Sequence, residues 1–496
     1  MVTMSSDPSD PVQTLIHESV RLLKSNLGKE VVARIKPFIQ QFPGHPRLHH
    51  LLGLALEQCG DADAAMHHVS RAIALEPDEG ESYKSLAMLL RKKGKISIAL
   101  ARAMDALERR PQDSDIHFLL GDLHMDRGAM EQAIASLTQA VTLQPEFLSA
   151  WINLGLCYKA QGQLVRAKEC FEQVLTIDPE SSLAHVNLAL TWLLLGEYGR
   201  GFDAFEWRFR LPSGEHPPIP PPENIPRWHG ESLQGKNILV IAEQGYGDTI
   251  QFVRFLPRLE SLGAKVHVMV PVPLESLLAR HPEMGQVQST TRWEETLDYF
   301  IPMMSLGQFF ARDLGQLAIF SDYLTADPEK SCYWQRRLPQ DRLKVGLVWE
   351  GKPLHSNDPL RRRSVTPHDL APLGQLPEEK VVFVSLQREV TQEQRHCFPQ
   401  GMTVVDVGMD LHDFSDTAAV MANLDLMITV DTAAAHLAGA MGKPAWVLLP
   451  LAPDWRWSMD RDSSPWYPSS KLYRQTRINH WEGPIRQMVI DLRNRL

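Results

Sequence analysis

Trp151-Ile-Asn-Leu154-Gly155-Leu-Cys-Tyr158, then Ala167-Lys-Glu-Cys-Phe171, then Pro179, is the stretch that carries the architecture of the first half of the chain. Its apolar residues fall at helical spacing on two successive segments, and Gly162 with its polar neighbours parts them. The pattern recurs along the chain. Pro43, Pro77, Pro111, Pro145 and Pro179 stand 34 residues apart. Ala65, Ala99, Ala133, Ala167 and Gly201 keep the same step, as do Leu52, Leu86, Leu120, Leu154 and Leu188. Small residues let two helices approach closely, and each proline ends the second helix of its unit. One helix pair cannot bury its apolar face alone, so neighbouring pairs stack into a superhelix with a concave groove.

These positions resemble the tetratricopeptide repeat (TPR) almost position for position. The register runs over about residues 12–215 in six units; the first is degenerate, with Val31 in the small-residue slot, and the last lacks the closing proline. We place the repeat domain at 12–210, after a disordered N-terminus at 1–11. Such a groove holds an extended peptide or another protein.

The chain has 496 residues, 44% hydrophobic and 22% charged, so several domains and an ordinary globular composition are expected. The net charge of −9 is diffuse and gives no electrostatic footprint for nucleic acid. No apolar run reaches the ~18 residues of a membrane span, and the N-terminus lacks a signal-peptide pattern. Cys59, Cys157, Cys170, Cys332 and Cys397 are scattered and form no metal or disulfide pattern. A cytoplasmic protein without metal or cofactor is expected.

Leu211–Arg227 holds seven prolines in seventeen residues and reads as a stiff connector, placed at 211–228. Beyond it, short apolar runs alternate with helical segments: 236–242, 265–270, 299–301, then 344–349, 381–386, 403–406, 426–430 and 445–449. That alternation predicts two doubly wound α/β units, at 229–335 and 336–480, with a cleft between them. An amphipathic helix closes the chain at 481–496 and is expected to pack back on the first of these units.

Four segments could carry chemistry. Glu243-Gln-Gly245-Tyr246-Gly247-Asp248-Thr249 follows a strand and opens a helix, so its glycines allow close backbone approach; Asp248 suits a helix cap equally well. Asp431-Thr432-Ala433-Ala-Ala-His436 opens a small-residue helix whose first N–H groups could receive a diphosphate; capping and packing would use the same residues. Lys352 and Arg361-Arg362-Arg363 form a cationic loop suited to phosphate or to solvent. Asp454-Trp455-Arg456-Trp457 could stack on a sugar or base, or pack an interface.

Gly-x-Gly-Asp-Thr-Ile in the first unit, Asp-Thr-x-x-x-His-Leu-Ala-Gly-Ala-x-Gly-Lys-Pro in the second and the APDWRW turn resemble one group. It is the bacterial tetratricopeptide-repeat proteins with a C-terminal heptosyltransferase-like glycosyltransferase domain. Protein O-GlcNAc transferase and flagellin-modifying glycosyltransferases are more distantly similar. The resemblance implies a TPR superhelix followed by a GT-B domain of two Rossmann-like lobes. The second lobe would bind a nucleotide-sugar donor, and the enzyme would be a metal-independent inverting glycosyltransferase acting on a protein held by the repeats. By the same resemblance Asp248 would be the catalytic base, and Arg363, Asp431, Thr432, Ala433 and His436 would bind the donor. Gly245, Gly247, Gln387, Asp454 and Trp455 would touch its sugar or base. Arginine at 363 and alanine at 433 depart from the lysine and glycine usual in heptosyltransferases, which tells against a heptose donor. Two other classes fit the same chain: a catalytically inactive TPR scaffold, and a transferase acting on a lipopolysaccharide-type saccharide.

Overall fold

The computed structural model describes residues 11–212, 222, 224–291, 293, 295–313, 322–351, 363–388 and 398–496. The chain divides into two compact units, Met1–Tyr158 and Lys159–Leu496.

In the first unit the 34-residue register becomes helix pairs. These are α1 (Pro11–Lys24) with α2 (Gly28–Gln41), α3 (Pro46–Gln58) with α4 (Ala62–Leu75), α5 (Gly80–Lys92) with α6 (Ile96–Arg109), and α7 (Ser114–Asp126) with α8 (Met130–Leu143). A ninth helix, α9 (Leu148–Ala160), runs across the boundary between the units. Val31, Ala65, Ala99 and Ala133 are fully buried where paired helices approach. Within each pair the turn takes a left-handed residue: Gly60, Gly94 and Gly128 have φ of 84°, 70° and 73°, and Asn26 serves the first turn at 58°. Only glycine adopts this conformation without a Cβ penalty, and asparagine is the next most tolerant.

The repeat prolines do more than end helices. The side chain six residues after a proline donates back to its carbonyl: His49 Nε2 to Pro43 at 3.2 Å, His117 Nε2 to Pro111 at 2.9 Å and Trp151 Nε1 to Pro145 at 2.9 Å. A carbonyl left over at the helix end is thereby satisfied, and the next helix is set in direction. First helices of neighbouring pairs pack on one another, α3 on α5 and α5 on α7, while the second helices α4 and α6 pack on the first helix of the following pair. The closer spacing of first helices places them on the inner, concave side.

The second unit opens with three more helices of the repeat register, α10 (Leu164–Ile177), α11 (Ser182–Leu194) and α12 (Tyr198–Phe205). Gly162 and Gly196 keep the left-handed turn, and His185 Nε2 bonds the Pro179 carbonyl at 2.9 Å. Two parallel sheets follow. The first has order β3-β2-β1-β4, from β1 (Asn237–Ile241), β2 (Lys265–Met269), β3 (Gln286–Gln288) and β4 (Tyr299–Pro302). The second is built from β5 (Leu343–Val348), β6 (Val381–Ser385), β7 (Val404–Asp406), β8 (Leu426–Val430), β9 (Ala445–Leu449) and β10 (Ser470–Arg474), in order β10-β9-β8-β5-β6-β7. Counted within itself and read from the β7 edge, that is 3-2-1-4-5-6, the order of a doubly wound sheet. What the structure establishes is a helical repeat region and an α/β region with two parallel sheets, a coarser statement than the GT-B assignment.

All the expected strands are present. β3 and β10 are additional; Gln286-Val-Gln288 and Ser470-Lys-Leu-Tyr-Arg474 lack the apolar run that marks a buried strand, because both lie at sheet edges. Most of the proline connector, 213–221 and 223, lies outside the described residues. Its end docks on the first sheet: the Phe300 N–H donates to the Pro226 carbonyl at 3.0 Å, and the Trp228 N–H to the Phe300 carbonyl at 2.9 Å.

The helices α11 and α12 share one core with the first sheet. Leu193, Tyr198, Phe202 and Phe205 are buried together with Trp228, Ile238, Val240, Trp455 and Trp466. The C-terminal helix, Glu482–Arg493, does not pack on the first sheet as expected. Its Ile485, Met488, Val489 and Leu492 are buried against Trp349, Val365, Leu370, Trp446 and Tyr473 of the second, because that face carries the uncovered apolar side chains.

A chain beginning at Gln161 therefore keeps the apolar partners of the first sheet, whereas one beginning at Leu211 strips them away. Thermal unfolding followed by circular dichroism should show a cooperative transition for 161–496. For 211–496 the transition should be lost or strongly lowered, with precipitation as its visible sign.

Candidate functional site

Doubly wound sheets place ligands beyond the carboxyl ends of their strands, where the strand order reverses. In the first sheet this point lies between β1 and β4, and the chain fills it with its own side chains. Glu243, just past β1 and 2% exposed, accepts from Arg208 Nε at 3.0 Å and Nη2 at 2.7 Å, and from the Met304 N–H at 3.1 Å. Arg208, in the turn after α12, also donates to Glu206 at 2.7 Å and Ser305 Oγ at 2.8 Å. Arg227 pairs with Glu206 and reaches Ser305 Oγ at 2.9 Å. Burial raises the carboxyl of Glu206, but Arg208 and Arg227 outweigh it and hold the acid low.

Between the two sheets, the helix Tyr246–Phe252 faces the helix Ala433–Ala440. Here the structure gathers most of the residues singled out above. Gly245, not Asp248, is the N-cap; Asp248, third in the helix, reaches back so that its Oδ2 accepts the Gly245 N–H at 2.8 Å, and its Oδ1 accepts from the Arg456 guanidinium. Arg456, 5% exposed, donates also to Asp454 Oδ1 at 2.8 Å and to Gln251 Oε1. Asp454 in turn accepts the Arg456 N–H at 3.1 Å and opens the short turn Trp455–Trp457. Asp431 stands at the end of β8, buried; burial first and Asp454 second raise its carboxyl to about 6, against the pull of Arg363 and Arg456.

His436 lies one turn into its helix, 5% exposed, with Nδ1 2.9 Å from the Tyr467 hydroxyl and the Trp457 ring 5.5 Å away. Burial, reinforced by Arg456, Arg254 and Arg363, holds it well below its ordinary value, so the ring is neutral. Gly247 makes room for it: a Cβ there would stand 2.5 Å from His436 Cδ2. Thr432 opens the helix without a side-chain cap bond, its hydroxyl 3.2 Å from Thr429 Oγ1, and Ala433 follows half-buried.

Gln387 and Trp455 are held by contacts within the chain. Gln387 accepts the Trp349 and Glu350 N–H groups at 3.1 Å each and donates to the Glu350 carbonyl at 3.0 Å, closing the loop after β5. Trp455 is buried edge-on against Phe202, Trp466 and Tyr198 at 5.6, 5.3 and 6.3 Å, so it ties α12 to the second sheet's loop. Lys352, Arg361 and Arg362 lie outside the described residues.

The sequence reading missed Arg208, Gln251 and Arg254. Arg254, 1% exposed, donates to the carbonyls of Gln251 and Trp466 and to the Tyr323 hydroxyl at 2.8, 3.0 and 2.9 Å. An arginine inside an otherwise apolar helix run was the available signal. No three or more His, Cys, Asp or Glu side chains gather as a metal site among the described residues, and no helix there is long and apolar enough to cross a membrane.

Comparison with known proteins bears on the first half directly. Tetratricopeptide-repeat family models match residues 46–79, 85–146 and 149–181. This region is a tetratricopeptide-repeat array. Protein FlbA of Caulobacter vibrioides is 29% identical over 319 residues, which is 59% of this chain and 52% of FlbA, so the chain spans about half the length of that relative. Among solved structures, YrrB, described as a TPR protein with an unusual peptide-binding site, aligns at 18% identity over 35% of this chain and 89% of its own, with a TM-score of 0.32. MamA from Desulfovibrio magneticus aligns at 21% over 35% and 98%, with a TM-score of 0.32.

The expected enzyme is corrected on these findings. The curated relative it matches is Protein FlbA and the family models it matches are tetratricopeptide-repeat models, so the reading as a nucleotide-sugar glycosyltransferase is withdrawn. Of the cytoplasmic expectation, the absence of a membrane-length apolar helix among the described residues is what stands.

Two outcomes follow from this packing. Gly247→Ala should lower stability by about 1–3 kcal/mol, since His436 is held by Tyr467 and cannot yield; denaturant unfolding measures it. Asp431 is raised in the folded chain above an unfolded carboxyl near ~3.9, so the unfolded chain ionises first and stability falls as pH rises from about 4 to about 6. Asp431→Asn should abolish that fall and gain up to about 3 kcal/mol over wild type above pH ~6, read from melting temperatures across pH 4–7.

Proposed function

We propose that the protein is a TPR scaffold that holds a protein or peptide partner along the inner helices of its N-terminal repeats. The observation that carries this reading is the composition of the inner face. Arg91 of α5 bonds Asp126 of α7 at 2.6 Å and pairs with Asp122, and Asp122 accepts from Asn153 of α9 at 2.6 Å. Lys84 lies 3.5 Å from Asp115. Met88, on the same helix as Lys84 and Arg91, is 43% exposed. A ladder of charges linking successive inner helices, with an exposed flexible apolar side chain among them, offers an extended chain both backbone-polar and apolar contact. In this reading the residues gathered in the second unit, Asp248, Asp431, His436, Asp454 and Trp455, serve to fix one sheet against the other.

A photocrosslinking amino acid placed at position 88 should give adducts with a partner protein in cells. The same group at Met104, 59% exposed on the outer helix α6, should give none. Met88→Glu should cut partner retention at least tenfold while leaving the melting temperature within the small range of surface substitutions. Equal labelling at 88 and 104 would reject the groove.

A further inference from the structure

Five of the chain's histidines fall in one helix pair: His45, His49, His50, His67 and His68. His50 is committed elsewhere, to Ser85 Oγ at 2.9 Å and Arg47 at 3.2 Å. The others are not. His49 of α3 and His68 of α4 bring their Nδ1 atoms to 3.0 Å, with ring centroids 5.2 Å apart. His67 stands beside them, its ring 5.4 Å from that of His68, and is exposed. His45, which precedes α3 and lies one helical turn before His49, has a buried Nδ1 with no hydrogen-bond partner.

The repeat architecture itself fixes the state of His49. Its Nε2 is the group that donates to the Pro43 carbonyl, the bond that His117, Trp151 and His185 make in their own repeats. The proton must then sit on Nε2, and Nδ1 carries a lone pair. A histidine whose far nitrogen donates to a backbone carbonyl is oriented and polarised as metal-bound histidines are. Two ligands of a tetrahedral ion at 2.0–2.1 Å stand about 3.3 Å apart, close to the separation seen here. In the metal-free chain the His49 Nδ1 lone pair accepts the His68 Nδ1–H, and moving the His68 proton to its Nε2 frees a second Nδ1 lone pair.

We propose that His49 and His68 form a two-histidine clip for a divalent transition-metal ion of the zinc class, with His45 Nδ1 as third ligand. Neither pair nor ion enters the scaffold reading, so this site stands or falls independently of it. Imidazole nitrogens suit Zn²⁺, and water would complete the tetrahedron. The third ligand requires a rotation of His45, since three such groups are not already gathered among the described residues. Ligation would satisfy its unpaired buried nitrogen. An ion there would staple α3 to α4 and to the turn that precedes them.

The test is titration of the untagged full chain, stripped with chelator, with zinc chloride at pH 7 in a calorimeter, alongside melting curves. One ion per chain and a raised melting temperature are expected. His68→Gln, which leaves the Pro43 bond intact, should abolish both, while its melting temperature in chelator should match wild type. His67→Gln should bind as wild type does. His45→Gln should bind at least about tenfold more weakly; unchanged affinity would remove His45 from the site. No heat with the wild-type chain, or the same stoichiometry and affinity in His68→Gln, would overturn the clip.

Discussion

The buried ion pair between Arg208 and Glu243 is the contact on which the second unit depends. Its side chains are 5% and 1% exposed, and removing either partner strands a charge out of water. Such a pair holds only if its other polar atoms are met, and here they are, by Met304, Ser305, Glu206 and through Glu206 by Arg227. Three parts of the chain meet in it: the end of the repeat helices, the end of the proline connector and the reversal point of the first sheet. The place where a doubly wound sheet would receive a ligand is thus occupied by the chain's own arginine. The same constraint joins the end of the repeat helices to the sheets in one compact unit.

A second charged knot, Asp248–Arg456–Asp454, holds the two sheets to each other. Arg456 satisfies two carboxylates and one amide, Asp248 reaches back to the start of its own helix, and His436 is pressed neutral between Gly247 and Tyr467. Asp431 is the strained member: it lies near another acid and away from water, and its raised carboxyl records that cost.

The repeats were legible because their signals are local. Proline, small residue and left-handed turn recur every 34 residues, and each acts on neighbours a few positions away. Strand cores were legible for the same reason, and the edge strands β3 and β10 were not, since edges need no apolar run. That Asp248 serves its helix start could be read locally, though Gly245 is the N-cap and Asp248 sits at the third helical position. Its arginine could not, because Arg456 stands 208 residues further on. Gln387 closes the loop after β5 and Trp455 packs against α12, and neither contact could be read locally, since the partners are far off in the chain.

By itself, then, the sequence determined the helical repeat array, the existence and location of most strands, and the switch from one regime to the other after residue 210. These follow from periodicity and backbone preference, which act over one or two turns of chain. Tertiary structure alone decided that the last repeat helices belong to the α/β unit, that the C-terminal helix covers the second sheet, that Arg208 meets Glu243 and that Asp248 meets Arg456. Those outcomes depend on which apolar faces remain uncovered and which buried charges find partners, and both are settled by groups far apart in the chain that meet only when it folds.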